Sequence, residues 1–224
     1  MKKLAILAAV VVLLGLPAWA SANTVGPITT STPISATLTD WTGTLAFPQF
    51  NSALGTLTQV DLNLSASMNT VITVTNTGSS SSNGTAKVEL QLSVLDPLSL
   101  IPDAPQIDKL WPSPGYAYSG LAPGYSVTSG TLSAAAASSS SYTATNLLAE
   151  FIGSGNILLD ASTYTQTWLS NHGGNSIETQ VTDASLTGTI TYEYTPAPVS
   201  VPPSAFLLGT GLLGLGLWRL RRID

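Results

Sequence analysis

The chain has 224 residues, of which only 8% are charged, and it contains no cysteine and one histidine. The absence of cysteine excludes a disulfide framework, a thiolate nucleophile and a cysteine-based zinc site. Residues 21–200 carry two basic side chains, Lys87 and Lys109, against eleven acidic ones, a formal charge of −9. This segment, called the body below, has a charge that repels phosphate backbones, which argues against nucleic acid as a partner.

The N-terminus has the three parts of a secretory signal in order. A Met-Lys-Lys start precedes 13 apolar residues, 4–16, and Ala18-Trp19-Ala20 is a small-x-small cleavage motif. The pattern predicts a signal peptide over residues 1–20, carried by the Sec translocon and cut by signal peptidase. We expect cleavage between Ala20 and Ser21, with cleavage two residues later as the second choice.

Three runs of the body alternate apolar and polar residues with a period of two, which indicates strands with one buried face. Their apolar positions are Val60, Leu62 and Leu64, then Ala86, Val88, Leu90, Leu92 and Val94, and finally Leu186, Gly188, Ile190, Tyr192 and Tyr194. The β-branched run Val71 to Thr75 predicts a further strand. Many short strands of this kind predict an all-β domain over residues 21–195, an antiparallel β-sandwich of jelly-roll or immunoglobulin-like type.

The segments between these runs predict turns and loops. Asn83-Gly84 predicts a hairpin turn between Val74 and Val88. The proline- and aromatic-rich segment 96–124 predicts a long loop across one end. The Ala/Ser run 134–141 predicts a flexible segment or a loop edge, and residues 145–151 allow one helical turn.

Few residues of the body are candidates for catalysis or metal binding. His172 lies in a turn-forming context, and Gly153-Ser154-Gly155 lacks the full pattern of a nucleophile elbow, so we expect no catalytic triad, no enzyme and no cofactor. Three loop acids are weak candidates for calcium ligands, although their spacing matches no compact calcium loop and solvated acids are the favoured interpretation. These acids are Asp96, Asp103 and Asp108.

The aromatic residues allow two interpretations. The favoured interpretation is that Trp41, Trp111 and Trp168 fill the core. The alternative is that exposed aromatic rings stack on sugars, which would make the body a carbohydrate-binding module. A secreted hydrolase with a pair of carboxylates is a third hypothesis. An aromatic platform would favour sugar binding, and a cleft with two facing acids would favour hydrolysis.

The C-terminal end predicts a temporary membrane anchor. A proline-rich spacer, 196–204, leads into a hydrophobic helix over 205–224. Its 14 uncharged residues, 205–218, would span about 21 Å as a helix, which is short for about 30 Å of bilayer hydrocarbon. The basic end should stay on the cytoplasmic side, and it consists of Arg219, Arg221 and Arg222.

Residues 201–222 resemble the PEP-CTERM sorting signal. They contain Val201-Pro202-Pro203-Ser204, a Leu/Gly-rich segment and terminal arginines, and they lack the glutamate of the usual Val-Pro-Glu-Pro-Ser motif. The resemblance implies a Gram-negative bacterium, transient anchoring in the inner membrane, processing by an exosortase-like protease and delivery to the cell surface or the medium. It also implies a setting in which exopolysaccharide is often made.

Residues 47–60 and the following Leu62 and Leu64 resemble the opening of the choice-of-anchor E domain. This second resemblance implies an exported location and a β architecture, and it supplies no catalytic residues. Together the two resemblances lead us to expect an exported cell-envelope or extracellular-matrix protein with a structural or interaction role.

Overall fold

A computed structural model of the chain describes residues 26–98, 101, 104–107, 109–110, 112 and 115–198. Within this part, residues Gly26–Thr195 form a compact body of mostly β structure in two antiparallel sheets, which confirms the predicted all-β class and is consistent with a sandwich. Several predicted residues lie outside the described residues, namely Ala18, Ala20, Ser21, Asp103, Asp108, Trp111, Val201, Pro202, Pro203, Ser204, Arg219, Arg221 and Arg222.

Two sheets of five strands each make up the described body. Sheet A contains β1 (Ile28–Leu38), β3 (Gly55–Asn76), β7 (Ser126–Thr128), β8 (Leu132–Tyr142) and β10 (Ser176–Pro196). Sheet B contains β2 (Thr42–Pro48), β4 (Ser82–Leu95), β5 (Lys109–Leu110), β6 (Tyr116–Leu121) and β9 (Asn156–His172). In sheet A, β10 lies between β1 and β3, and β7 and β8 pair with the other side of β3. In sheet B, β9 lies between β2 and β4, and β5 and β6 pair with the other side of β4.

The predicted period-two alternation is confirmed by burial. Every large apolar residue of the three runs except Tyr194 is at most 2% exposed, and Tyr194 packs partly buried against the core. Because successive side chains of a strand point to opposite faces, the polar residues between them must point outward. The long strands β3, β4 and β10 therefore each contribute one face to a common core.

Gly188 shows how tightly the core closes. It occupies an inward position of β10, and a Cβ atom there would lie 2.5 Å from Phe47 Cζ and 2.8 Å from Leu45 Cδ1. Both neighbours are fully buried side chains of β2. The missing side chain thus lets the Phe47 ring pack directly against the backbone of the opposite sheet.

The hairpin predicted at Asn83-Gly84 is wrong. Both residues lie inside β4, and the chain turns over residues 77–81 to connect β3 of sheet A with β4 of sheet B. The buried Asn76 holds this connection, since its Nδ2 donates to the carbonyl oxygens of Ser80 at 2.7 Å and Leu121 at 2.8 Å. Gly84 is instead a site of close approach, where a Cβ would overlap the carbonyl oxygen of Ser170.

Two segments expected as loops contain strands. The Ala/Ser run 134–141 lies inside β8, which pairs with residues 60–70 of β3 without a register shift. Tyr142 ends this strand as a buried side chain, with its ring 5.3 Å from that of Phe151. The segment expected as a long loop contains β5 and β6, and buries Ile101 and Ile107. Long-range pairing with a neighbouring strand overrides the weak local signal in both cases.

The helical turn predicted over 145–151 is confirmed as α1 (Thr145–Leu148) followed by a 3-10 turn (Ala149–Phe151). In the described part of the chain, no helix has the length and apolar character that spanning a membrane requires.

Candidate functional site

The outer face of sheet B, called the B face below, is the main candidate site. It is formed by the side chains of β4 and β9 that point away from the core, and the register of the two strands sets them opposite one another in pairs. The pairs are Thr85 with Ser170, Lys87 with Trp168, Glu89 with Gln166, Gln91 with Tyr164, and Ser93 with Ser162. On the other side of β4, Lys109 of β5 stands opposite Gln91.

Two exposed aromatic rings dominate the B face. The side chains of Trp168 and Tyr164 are 59% and 55% exposed, respectively. They lie four positions apart in one strand, so they project from the same face with their Cα atoms about 13 Å apart. The interpretation that Trp168 fills the core is therefore wrong. Trp41 does pack against the core, and its Nε1 donates to the carbonyl oxygen of Ala184 at 3.3 Å.

Each aromatic ring lines its own shallow hollow. The hollow at Trp168 has a volume of about 630 Å³ and is also lined by Lys87 and Glu89. The hollow at Tyr164 has a volume of about 300 Å³ and is also lined by Gln91 and Lys109. An apolar ring beside a few polar groups is the usual composition of a site for a small organic ligand.

An ion pair is built into this surface. Glu89 is only 4% exposed although it points outward, and its Oε1 lies 3.1 Å from Lys109 Nζ. Gln91 Nε2 donates to the same oxygen at 3.3 Å. Lys87 is exposed and has no ion-pair partner among the described residues. The hollow at Trp168 therefore contains Lys87, which forms no ion pair with a described carboxylate, and Glu89, whose carboxylate is paired with Lys109.

Among the described residues, the two acids of the B face, Glu89 and Asp160, lie far apart along the strands. Asp160 stands opposite Leu95, six residues along β4 from Glu89, which places the Cα atoms of the two acids about 20 Å apart. Glycosidases hold their two carboxylates roughly 5–10 Å apart. Asp160 Oδ1 instead accepts a hydrogen bond from Thr44 at 3.0 Å.

Of the three predicted calcium ligands, only Asp96 lies among the described residues, so the calcium site stays a prediction. Asp96 Oδ1 accepts from the backbone N–H of Leu98 at 3.0 Å, and its Oδ2 accepts from that of Ile101 at 2.7 Å. This carboxylate caps its own loop. No group of three or more potential ligands that could hold a metal ion occurs among the described residues.

His172 is the exposed last residue of β9, and the positive φ angles of Gly173 and Gly174 carry the chain on toward β10. The Gly153-Ser154-Gly155 segment lies in an exposed loop, where Gly155 N donates to Gln49 Oε1 at 3.1 Å. His172 stands opposite Asn83 and shares the parity of Trp168 and Ser170, so it lies at the end of the B face, whereas the Gly153-Ser154-Gly155 loop lies off this face.

The outer face of sheet A differs from the B face in its hydrogen bonding. Its hydroxyl groups bond to one another across strands, as in Thr29 with Thr191 at 3.1 Å and Ser31 with Thr189 at 2.9 Å. A third such pair, Ser67 with Ser185, lies at 2.8 Å. Hydroxyls that already bond to each other are less available to a ligand, so sheet A is the weaker candidate.

One carboxyl group outside the B face is perturbed. Burial raises the pKa of Glu178, and a hydrogen bond from Thr167 of the opposite sheet acts in the other direction. Its Oε2 atom is buried and has no hydrogen-bond partner within the described structure. The ionised carboxylate of Glu178, near the start of β10, is therefore poorly solvated.

Comparisons with known proteins identify no family. No family model and no curated protein matches the chain. Among solved structures, the chain is similar to that of tomato aspermy virus, with 10% identity over 90% of this chain and 100% of that one and a TM-score of 0.22. It is also similar to the VP2 subviral particle of infectious bursal disease virus, with 12% identity over 89% and 52% and a TM-score of 0.17. Likenesses with such low TM-scores carry no argument about function.

Proposed function

We propose that the chain is an exported cell-envelope or matrix protein that interacts with polysaccharide through the B face. One observation supports the glycan-binding part most directly, namely the two rings of Trp168 and Tyr164 exposed on one face of β9. A structural role and glycan binding then combine in one function, since a matrix protein that holds polysaccharide does both.

Stacking explains why exposed rings suit a sugar chain. An aromatic ring offers a flat apolar surface to the C–H face of a sugar, while nearby polar groups accept or donate hydrogen bonds to its hydroxyls. The B face supplies such groups between and beside the rings, including Gln91 and Gln166. The Cα atoms of Trp168 and Tyr164 are about 13 Å apart, more than the size of one sugar, so we expect the two rings to contact different residues of one linear chain.

The test is binding of the full chain, purified in mild detergent, to a glycan array followed by calorimetry on the best ligand. We expect Trp168→Ala and Tyr164→Ala each to weaken binding by about tenfold or more, the scale of an aromatic anchor in an interface. Tyr125→Ala is the matched control, because Tyr125 is 68% exposed but precedes β7 and lies off the B face. Silence on the array, or equal losses from all three substitutions, would contradict the proposal.

Export and sorting are proposed on sequence alone. The signal peptide, the variant PEP-CTERM motif and the arginine end support transient anchoring in the inner membrane and release by an exosortase-like protease. The jelly-roll or immunoglobulin-like type of the sandwich and the C-terminal hydrophobic helix belong to the same proposal. Mass spectrometry of the mature termini, in cells with and without the candidate protease, tests it. Secreted protein that keeps its arginine tail would show the sorting hypothesis to be wrong.

A further inference from the structure

The positive charges of the body are concentrated at the aromatic rings. Residues 21–200 contain eleven acidic side chains and only two basic ones, Lys87 and Lys109. Both lysines lie on the B face, and each lines the hollow of one exposed ring, Lys87 with Trp168 and Lys109 with Tyr164. Stacking of a neutral sugar on an aromatic ring does not require a lysine beside each ring.

We propose that the ligand of the B face is a linear polysaccharide that carries acidic sugar residues, an inference that rests on the glycan-binding function proposed above. Lys87 stands directly opposite Trp168 in the strand pair, so their Cβ atoms are about 5 Å apart. A sugar ring stacked on Trp168 would therefore hold a carboxylate substituent within reach of the Lys87 ammonium group. A lysine ammonium group attracts a carboxylate as a point charge and does not require the bidentate geometry that an arginine would impose.

The two hollows differ in whether their lysine forms an ion pair. Lys109 is already paired with Glu89, with 3.1 Å between Nζ and Oε1, whereas Lys87 has no described carboxylate partner. We therefore assign the acidic sugar to the hollow at Trp168. Glu89 also lines the hollow at Trp168, so removal of its charge should both free Lys109 in the second hollow and remove a carboxylate beside Lys87 in the first.

The experiment compares acidic polymers with their own neutral forms. Binding of the full chain in mild detergent is measured by calorimetry against polygalacturonate and alginate, each beside its methyl-esterified form, which keeps the backbone and removes the charge. The readout is the ratio of the affinity for the acid to that for the ester. We expect the ratio to exceed one and to fall as ionic strength rises, because salt screens exposed charges.

Three substitutions locate the effect. Lys87→Gln should lower the acid-to-ester ratio by about two- to fivefold, the scale of one exposed ion pair, and Glu89→Gln should raise it by a similar factor. Asn63→Asp is the matched control, because it lowers the net charge by the same unit as Lys87→Gln from an exposed position on the outer face of sheet A. It should leave the ratio unchanged.

The outcomes separate this inference from the proposed function. Equal affinity for acids and esters, or binding only to neutral glycans of the array, would overturn the acidic ligand and leave glycan binding standing. No binding to any glycan would overturn both. Binding to phosphatidylglycerol vesicles without binding to the acidic polymers would replace the polysaccharide by an anionic lipid surface. A ratio that Asn63→Asp lowers as much as Lys87→Gln would show that net charge, and not Lys87, is responsible.

Discussion

Replacing Gly188 by alanine should destabilise the body through one identifiable overlap. The new Cβ would lie 2.5 Å from Phe47 Cζ and 2.8 Å from Leu45 Cδ1, both on fully buried side chains with little room to move. Such overpacking of a core costs about 1–3 kcal/mol of unfolding free energy. Gly130→Ala is the matched control, because a Cβ at Gly130 would meet no atom within 4 Å and should cost close to nothing.

The assay is urea unfolding of the body, produced as residues 21–200 and followed by tryptophan fluorescence. Phe47→Leu removes the ring atom nearest to the new Cβ, so Gly188→Ala should cost less in a Phe47→Leu background than in the native one. We expect a coupling energy of about 1 kcal/mol between the two substitutions. If Gly188→Ala is neutral, or if its cost is the same in both backgrounds, the proposed close packing of β10 on β2 is wrong.

Two further predictions concern single polar side chains. Asn76→Ala should lower the unfolding free energy by about 2 kcal/mol, because the carbonyl oxygen of Leu121, in a buried hydrogen bond, and that of Ser80, in a partly buried one, lose their donor. An unchanged melting temperature would contradict this. Glu178→Gln should stabilise the body at neutral pH. Burial raises the pKa of Glu178 in the folded state, so the folded protein loses stability as the pH rises from the ordinary pKa of the carboxyl group through the raised one, and glutamine avoids this loss. Melting curves at pH 3 and pH 7 test this, and a gain of equal size at both values would count against it.

Much of the B face follows from a pattern that is present in the sequence of β9. Tyr164, Gln166 and Trp168 share one parity, while the buried residues Leu159 and Ala161 of the same strand share the other. Within a strand, alternate residues point to opposite faces, so this parity alone places both rings outward. The interpretation of Trp168 as a core residue failed because its hydrophobicity was weighed without the parity of its neighbours.

The sequence alone was sufficient to predict the strand class and the inward residues of β3, β4 and β10, because period-two alternation is a local property of each strand. It could not predict which strands become neighbours. Lys109 stands beside Gln91 only because β5 pairs with β4, and Asn83-Gly84 lies inside a strand only because β4 extends to meet the end of β9. Pairing of this kind depends on contacts between residues far apart in the chain, and a shift by one residue would turn every side chain to the other face. The tertiary structure therefore decided that the two lysines of the body and its two exposed rings on β9 share one surface.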